Sequence, residues 1–424
     1  MKKILLTALA VFLAASAAPG RAKAADPLAR LTRLYESGRY FELRDAVALL
    51  GDEPAIEMEF FRGAVDEIFN RLDPAVARLR RFLSLAKTGP ASMMNKEAWV
   101  LLADAFRRLG RFRQAAEARR EILARYGAIF DKEDRANLEN QIALWSALAG
   151  VPPQRVEGGI DTTISMTNRR FPVRVGGRAF FVGYDTGSNL SVLYKSIAEE
   201  LDVPTFGPTS KIQTSTGKWI EGQVGVVPEM RLGPIVIRNA VFFILPDEFF
   251  ASSPDRFGVG QQGLLGAPVL EALKEITETR DGELIIPASP RPRSGENMCF
   301  CGFMPLVEVR HRGARLSLCL DTGSPTTHLY PPFLRRYAGE IKSRSKLRTS
   351  FLGGVGNSRK IPVHILDWFL IRAGGLELSL RRIAVQARVT HTGSRYFDGT
   401  LGLDVLDHCS RMTFNFESMS FILE

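Results

Sequence analysis

The tetrapeptide Asp-Thr-Gly-Ser stands twice in this chain of 424 residues, at 185–188 and again at 321–324. Each copy ends the same kind of segment. Phe171 to Val175, the pair Gly176-Gly177 and Arg178 to Val182 alternate as a hairpin with a glycine turn, and the chain then runs into Asp185. Leu306 to Val309, a turn at Arg312-Gly313 and Leu316 to Leu320 do the same before Asp321. The 136 residues between the aspartates also separate Gly217 from Gly353, Gly266 from Gly402, Val269 from Val405 and Leu270 from Leu406. Gly263-Leu-Leu-Gly-Ala-Pro-Val-Leu270 therefore pairs with Gly399-Thr-Leu-Gly-Leu-Asp-Val-Leu406. Each copy closes with a short strand, Glu283 to Ile286 and Phe421 to Leu423, and the Pro- and Arg-rich stretch from Ser289 to Gly295 links them. A duplication of whole β-rich lobes is the economical account, with lobe 1 over 160–288 and lobe 2 over 297–424.

Asp-x-Gly alone is ordinary turn chemistry. On the duplicated residues, however, both lobes resemble the retropepsin-like aspartic proteases: Asp-Thr-Gly at a strand end, a glycine-tipped hairpin, and an apolar-apolar-Gly segment opening a short helix. Two lobes in one chain resemble the pepsin-like plan, while the size of each lobe and its Leu-Gly-x-x-Val-Leu helix look retropepsin-like. The resemblance covers about residues 160–424. It implies an all-β bilobal acid-protease fold in which Asp185 and Asp321 meet across a pseudo-twofold axis as a catalytic dyad. It also implies that Thr186 and Thr322 lock the two loops by hydrogen bonds across that axis.

The residue types suit the chemistry. Two carboxylates in contact cannot both ionise, so they share a proton. The charged one takes a proton from a water held between them, and the protonated one polarises the scissile carbonyl. That route calls on no cofactor, metal or covalent intermediate. Gly187 and Gly323 let backbone come close to the carboxylates. Ser188 and Ser324 are expected to donate to the ionised carboxylate, favouring its charged form and drawing the working pH down. Substrate would lie under mobile hairpins: Thr214 to Trp219 with Thr216, Gly217 and Trp219, and Leu352 to Asn357 with Gly353 and Gly354. Trp219 either walls a side-chain pocket or packs on its own hairpin.

Departures from the pattern mark specialised lobes. Tyr184 precedes the first Asp where a smaller apolar residue is usual, Pro268 stands where the second copy has Asp404, and Cys319 replaces Gly183. Cys299, Cys301, Cys319 and Cys409 allow three fully paired connectivities that sequence does not rank. A metal site is disfavoured, because Cys-x-Cys has no second pair to complete four ligands and the five histidines are dispersed. The run Lys342-Ser-Arg-Ser-Lys-Leu-Arg348, after Arg335-Arg336, reads first as solvated surface and second as an attractor of anionic partners.

The first 24 residues read as a signal peptide: Lys2-Lys3, an apolar stretch from Ile4 to Ala18, and Ala22-Lys23-Ala24 before a cut at Ala25. The alternatives are a buried N-terminal helix or a retained anchor. No later segment is apolar enough to span a bilayer. The mature chain is expected across the inner membrane, in the periplasm if the source is a Gram-negative bacterium. Four cations of the net +10 lie in that leader, so the body is only mildly basic and nucleic-acid binding is not expected. Composition, 45% apolar and 24% charged, is that of folded domains and excludes disorder.

From residue 25 to 150 the period is helical. Leu28, Leu31, Leu34 and Tyr35, and Trp99, Leu102, Ala105 and Phe106, recur at helix spacing. Turns at Gly38-Arg39-Tyr40, Asp73-Pro74-Ala75 and Gly110-Arg111-Phe112 divide the segment in a way that resembles tetratricopeptide-type helical hairpins. Such a domain either docks a protein partner or caps, even occludes, the domain that follows. The whole is read as an exported aspartic endopeptidase acting on a peptide or protein substrate. The alternative is a silent protease-like fold that binds peptides on a scaffold, and a third reading pairs lobes from two chains.

Overall fold

A computed structural model of the chain describes residues 26–51, 53–86, 93–214, 216, 218–251, 261–354 and 357–424. The leader and its cleavage site lie outside the described residues, as does Gly217. The chain divides into two units after Gly150.

Seven α-helices are described in the first unit: α1 (Pro27–Glu36), α2 (Tyr40–Leu50), α3 (Ile56–Ile68), α4 (Leu72–Leu85), α5 (Met93–Arg108), α6 (Phe112–Tyr126) and α7 (Lys132–Ala147). One turn recurs three times. Gly38, Asn70 and Gly110 take φ of 69°, 63° and 67°, and each is followed by an arginine whose N–H reaches back five residues to a helix carbonyl. Arg39 donates to Leu34 at 3.0 Å, Arg71 to Asp66 at 2.7 Å and Arg111 to Phe106 at 2.8 Å. This is the Schellman closure of a helix C-terminus, which needs one left-handed residue. It joins α1 to α2, α3 to α4 and α5 to α6. The turn expected at Asp73-Pro74 lies earlier, at Asn70. Asp73 and Pro74 instead open α4, where a missing N–H has no intrahelical acceptor to lose. Between α3 and α5 the Arg108 guanidinium, fully buried, pairs with Glu67 at 3.2 Å and with the Asn70 side-chain oxygen at 2.6 Å.

Among the described residues the second unit holds three sheets. The first has eight strands in the order Arg155–Glu157, Ile235–Leu245, Ser191–Tyr194, Gly263–Gly266, Arg178–Asp185, Phe171–Val175, Trp219–Leu232 and Thr205–Gln213. It closes into a barrel where Trp219–Leu232 also pairs with Ile235–Leu245. The stretch from Val151 to Gly159, between the helical span and lobe 1, is partly strand. Arg155–Glu157 pairs with the edge of this barrel, and the Gln154 amide donates to the Pro268 carbonyl at 2.9 Å.

The second barrel repeats the plan with Met298–Cys301, Met304–His311, Ala314–Leu320, Gly399–Leu401, His328–Leu329, Leu376–Gln386, Asn357–Ala373 and Arg348–Gly354, closing between Met304–His311 and Asn357–Ala373. The turns that open the two copies correspond: Gly176-Gly177 and Arg312-Gly313 all have positive φ, the backbone that a two-residue hairpin requires. A third, five-stranded sheet is shared by both copies in the order Thr162–Ser165, Glu283–Ile286, Glu275–Thr279, Arg411–Asn415 and Ser420–Leu423. Phenylalanines fill the interiors, with Phe171, Phe180 and Phe242 in the first barrel and Phe300, Phe333 and Phe369 in the second.

Candidate active site

In each barrel the strand leading to an aspartate runs parallel to a short glycine-containing strand. Val182 pairs with Gly263 and Asp185 with Gly266, while Leu318 pairs with Gly399 and Leu320 with Leu401. The loops after the two aspartates are braced alike. The Gly266 amide donates to Ser191 Oγ at 3.0 Å and the Gly402 amide to Thr327 Oγ1 at 3.1 Å. The Ala267 and Leu403 amides donate to the Ser188 and Ser324 carbonyls at 2.8 and 2.9 Å. Glycine is required at 266 and 402 because a side chain would run into the backbone of Leu190 or Thr326.

The two loops interlock. The Thr186 amide donates to Thr322 Oγ1 and the Thr322 amide to Thr186 Oγ1, both at 3.0 Å. The Thr186 hydroxyl donates a hydrogen bond to the Leu320 carbonyl at 2.7 Å. Both threonines are buried, so each bond satisfies an amide that water does not reach. Within each loop the glycine amide donates to its own carboxylate, Gly187 to Asp185 Oδ1 at 2.7 Å and Gly323 to Asp321 Oδ1 at 2.9 Å. Each glycine also lies against the opposite carboxylate. A Cβ on Gly187 would sit 2.8 Å from Asp321 Cγ, and one on Gly323 2.6 Å from Asp185 Cγ. The two carboxylates thus lie close together, each accepting from a backbone amide of its own loop.

The serines do something other than expected. Ser188 Oγ donates to the Leu190 carbonyl at 2.7 Å and Ser324 Oγ to the Thr326 carbonyl at 3.0 Å. A hydroxyl has one proton, and here it closes the loop rather than reaching the carboxylate. The expected pull on the working pH through these serines has no basis in this geometry.

Thr216 is buried in the tip of the first hairpin, its hydroxyl 2.9 Å from that of Thr214. Trp219 is half-buried and pairs with Gln213 across that hairpin. Gly353 and Gly354 end the strand Arg348–Gly354, opposite Ser358 and Asn357. Among the described residues no disulfide joins any of the four cysteines. Burial pushes the Cys319 thiol well up, helped by Cys301 and Asp321 nearby.

Sequence singled out Tyr184 and Asp404, and not the partners that the fold brings to them or the group around Tyr330. The buried Tyr184 hydroxyl donates to Glu278, whose carboxylate also pairs with Arg169. Burial and the Glu278 charge raise the Tyr184 phenol well above its ordinary range. The corresponding positions of the second copy, Leu320, Phe414 and Pro305, are apolar. The unusual Tyr184 was the available signal, since a buried phenol needs a partner. On the other side, Tyr330 bonds Thr400 at 2.6 Å, with the His328 and His391 rings edge-on to it at 5.4 and 5.3 Å. Asp404 accepts from the Thr327 amide at 2.9 Å and hydroxyl at 2.7 Å, and burial raises its pKa.

Among the described residues no three His, Cys, Asp or Glu side chains are grouped to hold a metal ion. No described helix is long and apolar enough to cross a membrane. No curated protein matches the chain. Among solved structures, a retropepsin-like aspartic protease from Rickettsia conorii aligns with 31% of this chain and 92% of its own, at 17% identity and a TM-score of 0.21. The family model described as aspartyl protease matches residues 171–269. That span runs from the first hairpin through Asp185 to the glycine and helix that brace its loop, and its likeness supports aspartic protease activity for the β-rich unit.

Proposed function

We propose that the chain is an exported aspartic endopeptidase whose two barrels are the lobes of a bilobal protease, with Asp185 and Asp321 as a dyad formed within one molecule. The observation that carries this reading is the reciprocal pair of Thr186 and Thr322 hydrogen bonds, which joins the two aspartate loops symmetrically. In the reaction, one carboxylate is ionised and the other protonated. The ionised group takes a proton from water as its oxygen attacks the peptide carbonyl, and the protonated group donates to the carbonyl oxygen. The tetrahedral diol then breaks at C–N, its nitrogen leaving as an amine after receiving a proton from the dyad, and carboxylic acid and amine products result. Gly187 and Gly323 keep both carboxylates accessible, and the two hairpins act as flaps over the peptide.

The leader directs the mature chain across the inner membrane to the periplasm in this reading. The helical unit, with its three repeated turns, serves as a tetratricopeptide-like platform for a protein partner and acts on access or choice of substrate. Asp185→Asn and Asp321→Asn are each expected to abolish cleavage of a peptide library at mildly acidic pH. Cleavage that persists in either purified variant overturns the dyad. Activity recovered on mixing the two variants would place the dyad between molecules instead.

A further inference from the structure

We infer that the two paired strands of the second lobe, residues 346–354 and 357–362, select peptides bearing an acidic side chain, and that Arg359 is the residue that meets it. This rests on the proteolytic reading above and adds a substrate class to it.

The hairpin carries Lys346, Arg348, Arg359 and Lys360 and no carboxylate. Among the described residues, neither Arg348 nor Arg359 forms an ion pair, and Lys360 lies over the exposed Phe351 ring at 5.8 Å. The first-lobe hairpin is different. There Lys211 is neutralised by Glu221 at 2.9 Å, and Lys218 lies over Phe249 at 5.5 Å.

Strand register sorts the cations by face. Residues directly opposite in an antiparallel pair share a face. Arg348 opposite Val363, Ser350 opposite Ile361 and Leu352 opposite Arg359 form one face, while Phe351 opposite Lys360 lies on the other. Ile361 and Val363 are buried, so the first face turns toward the body of the lobe at the hairpin's base. Leu352 and Arg359 continue that face toward the tip. The base itself is anchored near the site: the Ala387 amide donates to the Pro362 carbonyl at 2.9 Å. The segment after Ala387 carries His391 onto Tyr330 and returns as Gly399–Leu401, beside the strand that ends at Asp321. A peptide lying across the dyad would meet an apolar side chain and an unneutralised guanidinium from this face.

Guanidinium stays charged at acid pH and binds a carboxylate through two parallel N–H donors. The preference therefore requires an ionised Asp or Glu in the substrate and fades near about pH 4, where those groups protonate.

The test uses the full-length protein and peptides sharing one cleavable apolar centre, with Glu, Gln or Lys placed at each flanking position in turn. At one position Glu should exceed Lys in kcat/KM by about twofold to fivefold, as expected for an exposed ion pair. That ratio should shrink at about pH 3.5 and in about 0.5 M salt. Arg359→Glu should reverse the order and Arg359→Gln erase it. Lys360→Glu, the same charge change on the opposite face, should leave it in place. Equal rates for Glu and Lys at every position, with the Gln peptides cleaved, overturn the acidic preference and leave the protease reading standing. An order that shifts as much in Lys360→Glu as in Arg359→Glu overturns the assignment to Arg359. No cleavage of any peptide by the wild type overturns the protease reading, and this inference with it.

Discussion

Thr277 and Thr413, 136 residues apart, face each other in the middle of the five-stranded sheet with their hydroxyl oxygens 2.7 Å apart. The register is symmetric about them: Glu275 pairs with Asn415 and Thr279 with Arg411. The same sequence separation relates Thr186 to Thr322. One pseudo-twofold relation therefore organises both the shared sheet and the aspartate loops.

The cross-axis hydroxyl pair should stabilise the fold without entering the chemistry. Thr413→Val is expected to cost about 1–2 kcal/mol in urea unfolding, because it leaves the Thr277 hydroxyl without its partner. Thr277→Val/Thr413→Val should cost less than the two single changes together, and specific activity of the folded fraction should hold. Strict additivity in this double-mutant cycle would show that the pair contributes nothing as a pair.

Gly187→Ala and Gly323→Ala test how closely the loops must approach. Each methyl would meet the opposite carboxylate inside normal contact distance, displacing it by a few tenths of an ångström or more. Peptide cleavage should fall at least about 100-fold, the scale of a misplaced catalytic group, while circular dichroism remains that of the wild type. Normal kcat in either variant would contradict the close approach.

Thr186 supplies both an acceptor and a donor to the other loop. Thr186→Val strands the buried Thr322 amide and the Leu320 carbonyl, so stability should drop by about 1–3 kcal/mol and cleavage should fall with it. Thr186→Ser keeps the hydroxyl and should retain most of both. A loss in Ser as large as that in Val would show that retaining the hydroxyl does not preserve the loop, against the hydrogen-bond assignment.

His391 makes stability depend on pH. Burial, and then the neighbouring His328, lower its pKa from 6.5 to about 4. Between those values the unfolded chain binds a proton that the folded chain does not, so stability falls as pH drops from 6.5 toward 4. The contribution is on the order of 3 kcal/mol across that window. His391→Gln should flatten the urea midpoint against pH over the same range, relative to wild type. A difference curve without slope between pH 4 and 6.5 would refute the assignment.

In the helical unit Arg108 neutralises Glu67, both buried. Burial raises the Glu67 pKa to about 7, against the lowering effect of Arg108. Arg108→Met removes that compensation and should destabilise the unit by about 3–5 kcal/mol at neutral pH. Arg108→Met/Glu67→Leu, which buries no charge, should recover much of the loss. Failure of the double variant to recover would assign the cost to packing of the long side chain.

Much of the site was legible before any fold was known. The turn at Gly176-Gly177, the strand alternation before Asp185 and the glycines at 266 and 402 express requirements met within a few residues. Backbone that needs positive φ, or that lies against other backbone, admits little but glycine. Duplication supplied the pairing, because two identical loops in one chain imply an axis. The repeated helix turns were legible for the same reason, except where Asp73-Pro74 drew attention from Asn70, the residue with the left-handed backbone.

Long-range partners were not legible. Ser188 and Ser324 carry hydroxyls that suit a carboxylate, and each donates instead to a carbonyl two residues on, that of Leu190 or Thr326. Arg155–Glu157 has the composition of a linker, yet an unpaired barrel edge turns it into a strand. Tyr184, Glu278 and Arg169 are far apart in the chain and meet only when two sheets bury them together. Local conformational need is encoded residue by residue, whereas the partner of a buried polar group depends on which surfaces exclude water from each other, and that arises only in the assembled fold.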